Sequence, residues 1–416
     1  MTRSTKRSKK SRIIQPHVPG DERKGDEPPD VHKTKLPPEL WRNIVEEVAL
    51  SIPDAKARNH ALYYLLLTSR DLHSEARRLL YRDITFVHGT PVAGKISDAL
   101  HAGAAKYVRS MRAANLVGEV GRRGRSAKTH FSHLPLDSMR ALRSLDLSAS
   151  WIQNPSELVE LIRCSIPRDS LVAFHVLLSF DDDIVPFLLQ QKNIQFLSLY
   201  RFDDKPTSPL QPRQLLPNLK RFKLHELNAV TNNFQEFMKD RPITVFHSGS
   251  FFRLPDYWST FTFAPQLQAL DLSSSQVSFQ GLKEFLEVVA TTAINLRLFA
   301  CAQISTFQEV APATIPAVFC VLNKLHHLEA FTVSFTSFTI GELDITNIPN
   351  VVSDFGTPTQ LKSILLTQRT VLGHGGETVL EFCYTPESGW TTAQKYDLHR
   401  EDWFETWLRK LDLAYC

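Results

Sequence analysis

The strongest constraint on this chain is an apolar pattern, Φ-x-x-Φ-x-Φ, that returns ten times. Its apolar positions fall at Val108-Met111-Ala113, Leu142-Leu145-Leu147, Leu171-Phe174-Val176, Ile194-Leu197-Leu199 and Leu219-Phe222-Leu224. They continue at Ile243-Phe246-Ser248, Leu267-Leu270-Leu272, Leu296-Phe299-Cys301, Leu328-Phe331-Val333 and Leu361-Ile364-Leu366. The first positions lie 34, 29, 23, 25, 24, 24, 29, 32 and 33 residues apart. Within each copy the last two apolar residues are two apart, so they share one face of a short strand. A strand recurring at this period pairs with its neighbours in a parallel sheet, and the residues between must carry the chain back.

Several returns read as helices. Asn154-Pro155-Ser156-Glu157 leads into Leu158, Leu161 and Ile162, which gives a cap, a first-turn proline and an apolar stripe. Ser278 precedes Leu282, Phe285, Leu286 and Val289, and Asn232-Asn233 precedes Phe234 and Phe237. Right-handed strand–helix succession predicts a curved α/β solenoid, with the parallel sheet on the concave face and helices outside. The central spacings match the ~20–29 residues of a leucine-rich repeat. Ser150 and Ser275 stand where the usual repeat asparagine falls. The competing expectation is an ordinary α/β domain.

The segment before the repeats has a different character. Leu36-Pro37-Pro38-Glu39-Leu40-Trp41 opens a helical pattern in which Leu40, Ile44, Val45 and Val48 form an apolar stripe. Ser51-Ile52-Pro53-Asp54 breaks it. A second helix is predicted from about Ala55 to Ser69 and a third from Leu72 to Tyr81. Ile84-Thr85-Phe86 alternates like a strand. This gives four regions: a basic tail over 1–34, a helical module over 35–82, the solenoid over 83–400 and a C-terminal helix over 401–416. Trp403, Trp407 and Leu411 make that last helix amphipathic, and it is expected to cap the solenoid end.

Charge and cysteine usage narrow the function classes. Six cations (Arg3, Lys6, Arg7, Lys9, Lys10 and Arg12) crowd the first twelve residues. Setting these six aside from the 48 basic residues leaves 42 against 44 acidic ones, so the folded part is close to neutral. Binding to nucleic acid is therefore not expected, and the tail reads as a solvated segment or an import signal. The five cysteines (Cys164, Cys301, Cys320, Cys383 and Cys416) are odd in number and hold no C-x-x-C pair, as in a reducing compartment. No run approaches the ~20 apolar residues of a membrane span. The chain is expected to be soluble and cytoplasmic or nuclear.

On Leu36-Pro37-Pro38-Glu39-Leu40-Trp41 with Ile44, then Leu67-Thr68-Ser69-Arg70 and Arg78-Leu79-Leu80-Tyr81, the chain resembles an F-box. Followed by its repeats, the whole resembles an F-box/leucine-rich-repeat protein. The resemblance implies a substrate receptor of an SCF-type ubiquitin ligase. Such a receptor binds a Skp-family adaptor, and through it a cullin–RING ligase, and has no chemistry of its own. Carried onto this sequence, the adaptor-binding residues are Leu36, Pro37, Pro38, Leu40, Ile44 and Leu67. Leu40 and Ile44 read equally well as core residues of the module itself.

Polar residues at the outward positions of the strands are the candidate substrate surface: Tyr200, Arg221, Lys223, His225, His247 and Asp271. Arg221, Lys223 and His225 suit an acidic or phosphorylated segment, or a plain solvated face. Ala300, Ala330 and Leu365 at the same positions suggest that part of the face is covered by a loop or tail. No Walker loop, H-E-x-x-H or G-x-S-x-G occurs, so no catalytic residue, metal or cofactor is expected. Gly118, Gly121 and Gly124 read as a basic loop and Gly373-His374-Gly375-Gly376 as a turn. Asp181-Asp182-Asp183 reads as a helix start, and His326-His327 lacks a third ligand. Three other classes stay open: a scaffold whose F-box-like helices only cap the solenoid, an enzyme with an unfamiliar motif, and nucleic-acid binding through the tail.

Overall fold

The computed structural model describes residues 36–87, 90–114, 134–149, 155–181, 183–202, 215–226, 232–249, 258, 261–272, 276–277, 279–305, 320–337, 360–370, 378–395 and 400–414. The basic tail, the glycine loop at 118–124, Asp182 and the turn at 373–376 lie outside these residues.

Three helices open the fold: α1 (Pro38–Ser51), α2 (Ala55–Thr68) and α3 (Arg70–Leu80). Their boundaries follow from local chemistry. The Asp54 carboxylate accepts the Ala57 N–H at 2.6 Å and starts α2. The Ser69 hydroxyl accepts the Leu72 N–H at 3.2 Å, so α2 stops and α3 begins two residues earlier than the apolar spacing predicts. The module has its own small core of Val45, Leu62 and Ala76, with Ala49, Leu65, Leu66, Leu72, Leu79 and Leu80 around it.

Among the described residues fifteen strands follow in one sheet. They are β1 (Asp83–Val87), β2 (Ser110–Ala114), β3 (Ser144–Ala149), β4 (Ala173–His175), β5 (Ser179–Phe180), β6 (Phe196–Phe202), β7 (Arg221–Glu226) and β8 (Val245–Ser248). Then come β9 (Ala269–Asp271), β10 (Gln276–Val277), β11 (Leu298–Ser305), β12 (Ala330–Ser337), β13 (Ser363–Thr370), β14 (Thr378–Thr385) and β15 (Gly389–Lys395). The strands pair in sequence order, with β5 and β10 as short additions on β6 and β11. Pairing is parallel from β1 to β13. This succession is that of a leucine-rich-repeat-like solenoid.

The middle apolar residue of all ten motifs falls on one rung. Met111, Leu145, Phe174, Leu197, Phe222, Phe246, Leu270, Phe299, Phe331 and Ile364 are register partners from strand to strand. A second ladder runs through the residue after each first apolar position. Arg143 N–H donates to the Arg109 carbonyl at 2.8 Å, Val172 to Arg143 at 2.7 Å, Gln195 to Val172 at 2.8 Å and Lys220 to Gln195 at 2.9 Å. The same relay continues to Lys362. Unequal repeat lengths are absorbed between strands while the rungs stay in step.

The rung of apolar residues faces the returns. Helices at Pro155–Ser165, Val185–Leu189, Asn232–Met238 and Phe279–Thr292 bury Ile162, Phe187, Phe237 and Leu286 against it. Phe222 lies in aromatic contact with Phe237 at 5.5 Å and with Phe246 at 6.1 Å. The Asp181 carboxylate accepts the N–H groups of Asp183 and Ile184, which suits a helix start rather than a cation site.

Two expectations are corrected here. The sheet does not end on parallel pairing, because β13, β14 and β15 form an antiparallel meander that closes the solenoid. The C-terminal helix (Arg400–Lys410) does not cap that end. It lies on the sheet face opposite the other helices, where Trp403, Phe404, Trp407, Leu408, Leu411 and Leu413 pack on Val245, Ala269, Leu298, Ala300, Ala330 and Leu365. The reason is steric and hydrophobic. Val245, Ala269, Leu298, Ala300, Ala330 and Leu365 on the outward side of β8 to β13 are small or apolar and form a surface that needs cover.

Candidate functional site

Two surfaces carry unusual chemistry. The first is the outer side of the helical module. Helix α1 has apolar residues on two sides. Val45 is buried in the module core with Ala49 packed against it, and Trp41 and Val48 are half-buried. Leu36, Leu40 and Ile44 repeat every four residues along the other side and expose 42%, 44% and 41% of their surface. The stripe read from the sequence therefore divides, with Val45 inward and Leu40 and Ile44 outward. Pro37 and Pro38 are exposed at the helix start.

Helix α2 behaves alike. Leu62 points into the core, whereas Tyr63, Tyr64 and Leu67 are exposed, Leu67 to 68%. A helix that is apolar on every side is normally covered on every side. Ion pairs fix the module's inner geometry: Arg78 bonds Glu46 at 2.6 Å and Glu75 at 2.9 Å.

The second surface is the trough under the C-terminal helix. The Glu405 carboxylate takes the Arg221 guanidinium through both terminal nitrogens. Arg221 also donates from Nε to His247 Nε2 at 3.1 Å, and His247 Nδ1 lies 3.0 Å from Asp271 Oδ2. Arginine cannot accept a hydrogen bond, so Nε2 of His247 is unprotonated and Nδ1–H donates to Asp271. His247 is thus held neutral, its pKa lowered by burial and by Arg221 against the opposing pull of Asp271. Burial alone raises Glu405, but the Arg221 hydrogen bonds outweigh it and hold the carboxyl below its ordinary range. Phe404 closes the His247 ring edge-on at 5.1 Å.

On the other flank Trp403 Nε1 donates to Glu381 on β14 at 3.2 Å. Arg297 donates to the Leu411 carbonyl at 3.4 Å and to Glu329, which Lys362 also holds at 2.6 Å. Trp403 and Glu405 are two residues apart, yet their partners on β14 and β7 are six strand spacings apart. That separation is ~29 Å on a flat sheet, against ~10–12 Å for the diameter of a helix. The sheet wraps around the helix, and this face is the concave one.

The six residues expected to bind substrate therefore have separate fates. Arg221 and His247 are buried beneath the helix and are corrected as binding residues, because the chain's own Glu405 and Phe404 occupy them. Asp271 is taken by His247. Beyond the helix, Lys223 and His225 are half-buried, with His225 3.3 Å from Ser198, and the Tyr200 hydroxyl donates to Glu226 at 2.6 Å. The sequence signal for the helix was the run of Ala300, Ala330 and Leu365 beside an amphipathic C-terminus. Glu405 had no signal of its own. Among the described residues no group of three His, Cys, Asp or Glu side chains could hold a metal, and no helix is long and apolar enough to cross a membrane.

The buried histidines make the fold pH-sensitive. Burial, reinforced by Arg221 and Lys223 and opposed chiefly by Asp146, lowers His175 to about 4. A histidine whose folded pKa lies below its unfolded value stabilises the neutral fold, and that stability is lost as pH falls through ~6.5 toward the folded value. His175 alone is expected to cost about 2 kcal/mol between pH 7 and pH 5, with His247 acting in the same direction, and Glu405 adds its loss only once pH falls below the ordinary carboxylate range. Thermal midpoints measured across that range should fall with pH. A midpoint that is flat or rises on acidification contradicts this.

No protein-family model matches the chain, and no curated protein matches it. Among solved structures the chain is similar to an internalin (inlF) from Listeria monocytogenes, at 12% identity and a TM-score of 0.34, over 76% of this chain and 90% of that one.

Proposed function

We propose that this protein is a non-catalytic substrate receptor of an SCF-type ubiquitin ligase. In this reading α1 and α2 dock a Skp-family adaptor, and the solenoid holds a protein substrate. The supporting observation is the outward apolar side of the module, where Leu36, Leu40, Ile44 and Leu67 stay in water. Fully burying such a side chain contributes roughly 1.5–3 kcal/mol, and each of these four would contribute the share still exposed, which makes a helix-in-groove interface the natural cover. The receptor then acts by proximity, raising the effective concentration of substrate lysines near the ubiquitin thioester.

Co-purification with a Skp-family adaptor tests this. Pro37→Ala with Leu40→Ala is expected to weaken binding by about 2–3 kcal/mol, roughly 30- to 150-fold. A folded double variant that keeps the adaptor overturns the assignment. The scaffold reading has one observation in its favour: Arg77 bonds the Ala102 carbonyl at 3.2 Å and ties α3 to the solenoid. It expects deletion of residues 36–82 to unfold the repeats, whereas an adaptor module with its own core leaves them folded.

A further inference from the structure

The near-neutral charge of the folded part conceals an asymmetry. Because the repeats run in register, every turn that leads into a strand lies on one edge of the solenoid. On the turns before β2, β3 and β4 that edge carries exposed Lys106, Arg109, Arg140, Arg143 and Arg168. Arg109 and Arg143 occupy the same position on adjacent rungs, since the Arg143 N–H bonds the Arg109 carbonyl at 2.8 Å, and Arg109 in turn bonds the carbonyl of Arg82 at 2.8 Å. Like charges one strand spacing apart repel, at ~4.8 Å between backbones. The nearby acids offset the row only in part: Asp83 pairs with Arg82, and the exposed Asp137 and Asp169 are two negative charges against five positive ones. Among the described residues no carboxylate pairs with Arg109, Arg140 or Arg168.

We propose that the β1–β4 edge is a docking track for an extended acidic segment of a partner protein. Guanidinium forks match carboxylates bidentately, and Arg221 of this same sheet already does so with Glu405. Side chains on one face of an extended segment recur every ~6.8 Å, within reach of long arginines ~4.8 Å apart. Single-stranded nucleic acid is the poorer fit, because it needs aromatic stacking platforms. The turn before β2 offers only Tyr107, which Lys106 covers at 5.0 Å. The proposal does not rest on adaptor binding, since it concerns the isolated chain.

The test measures binding of a fluorescein-labelled peptide of alternating Glu and Ser to the full chain at low salt, by anisotropy. Arg109→Glu with Arg143→Glu is expected to weaken binding at least about tenfold, and added salt should weaken wild-type binding in parallel. A control with the same net charge change on the helix side, Arg163→Glu with Lys283→Glu, should lose less than about twofold. Arg109→Gln with Arg143→Gln, checked for a native circular dichroism spectrum, should give an intermediate loss. Equal losses in both reversal pairs, or none in the first, overturn the track and leave the basic tail as the binder. A single-stranded oligonucleotide of equal charge that binds more tightly, and through the same two arginines, overturns the choice of partner.

Discussion

Replacing Leu408 by aspartate is expected to remove at least about 4 kcal/mol of stability and to strip the C-terminal helix from the sheet. Leu408 is fully buried in the cluster that also holds Ala300, Ala330 and Leu365. Truncating such a residue to alanine already costs about 2–5 kcal/mol. An unpaired carboxylate there adds a desolvation cost of several kcal/mol. Once the helix leaves, Val245, Ala269 and Leu298 face water and Arg221 loses Glu405. Urea unfolding and binding of a hydrophobic dye measure both consequences. Thr406 lies on the exposed side of the same helix, so Thr406→Asp should change stability by less than about 0.5 kcal/mol. A Leu408→Asp variant that loses under 1 kcal/mol contradicts the placement of the helix.

The second large effect lies on the other face of the sheet. Phe222→Ala is expected to cost about 3–5 kcal/mol, because a buried ring on the continuous rung is replaced by a cavity between Phe237 and Phe246. In a repeat array each unit depends on its neighbours, so the loss should spread to β6 and β8 before it reaches β13. Lys223, the next residue, points to the opposite face and is half-buried. Lys223→Ala should cost less than about 1 kcal/mol. Hydrogen exchange resolved by strand reads this pattern, and equal losses for the two variants count against the register.

The solenoid was legible because one physical demand repeats. Every strand must set an apolar residue on the returns, so Leu145, Phe174, Phe222 and Phe331 announce themselves at any spacing. The fate of the concave face was not legible. Arg221 and His247 have the composition of a ligand surface, and only the fold shows that the chain's own C-terminus occupies them. The amphipathic pattern of Trp403, Trp407 and Leu411 revealed a helix needing cover, but periodicity does not say which surface covers it. The same gap affected α1. Leu40, Ile44 and Val45 are equally apolar in sequence, and tertiary packing alone separates the buried valine from its exposed neighbours.

The proposed receptor role requires the outer side of α1 and α2 to be the surface that meets a Skp-family adaptor. Hydrogen exchange on the full chain, with and without the purified adaptor, tests it most directly. New protection is expected over residues 36–68 alone, with the strands from β2 to β13 unchanged. Protection confined to the sheet, or none at a saturating concentration of adaptor, contradicts it.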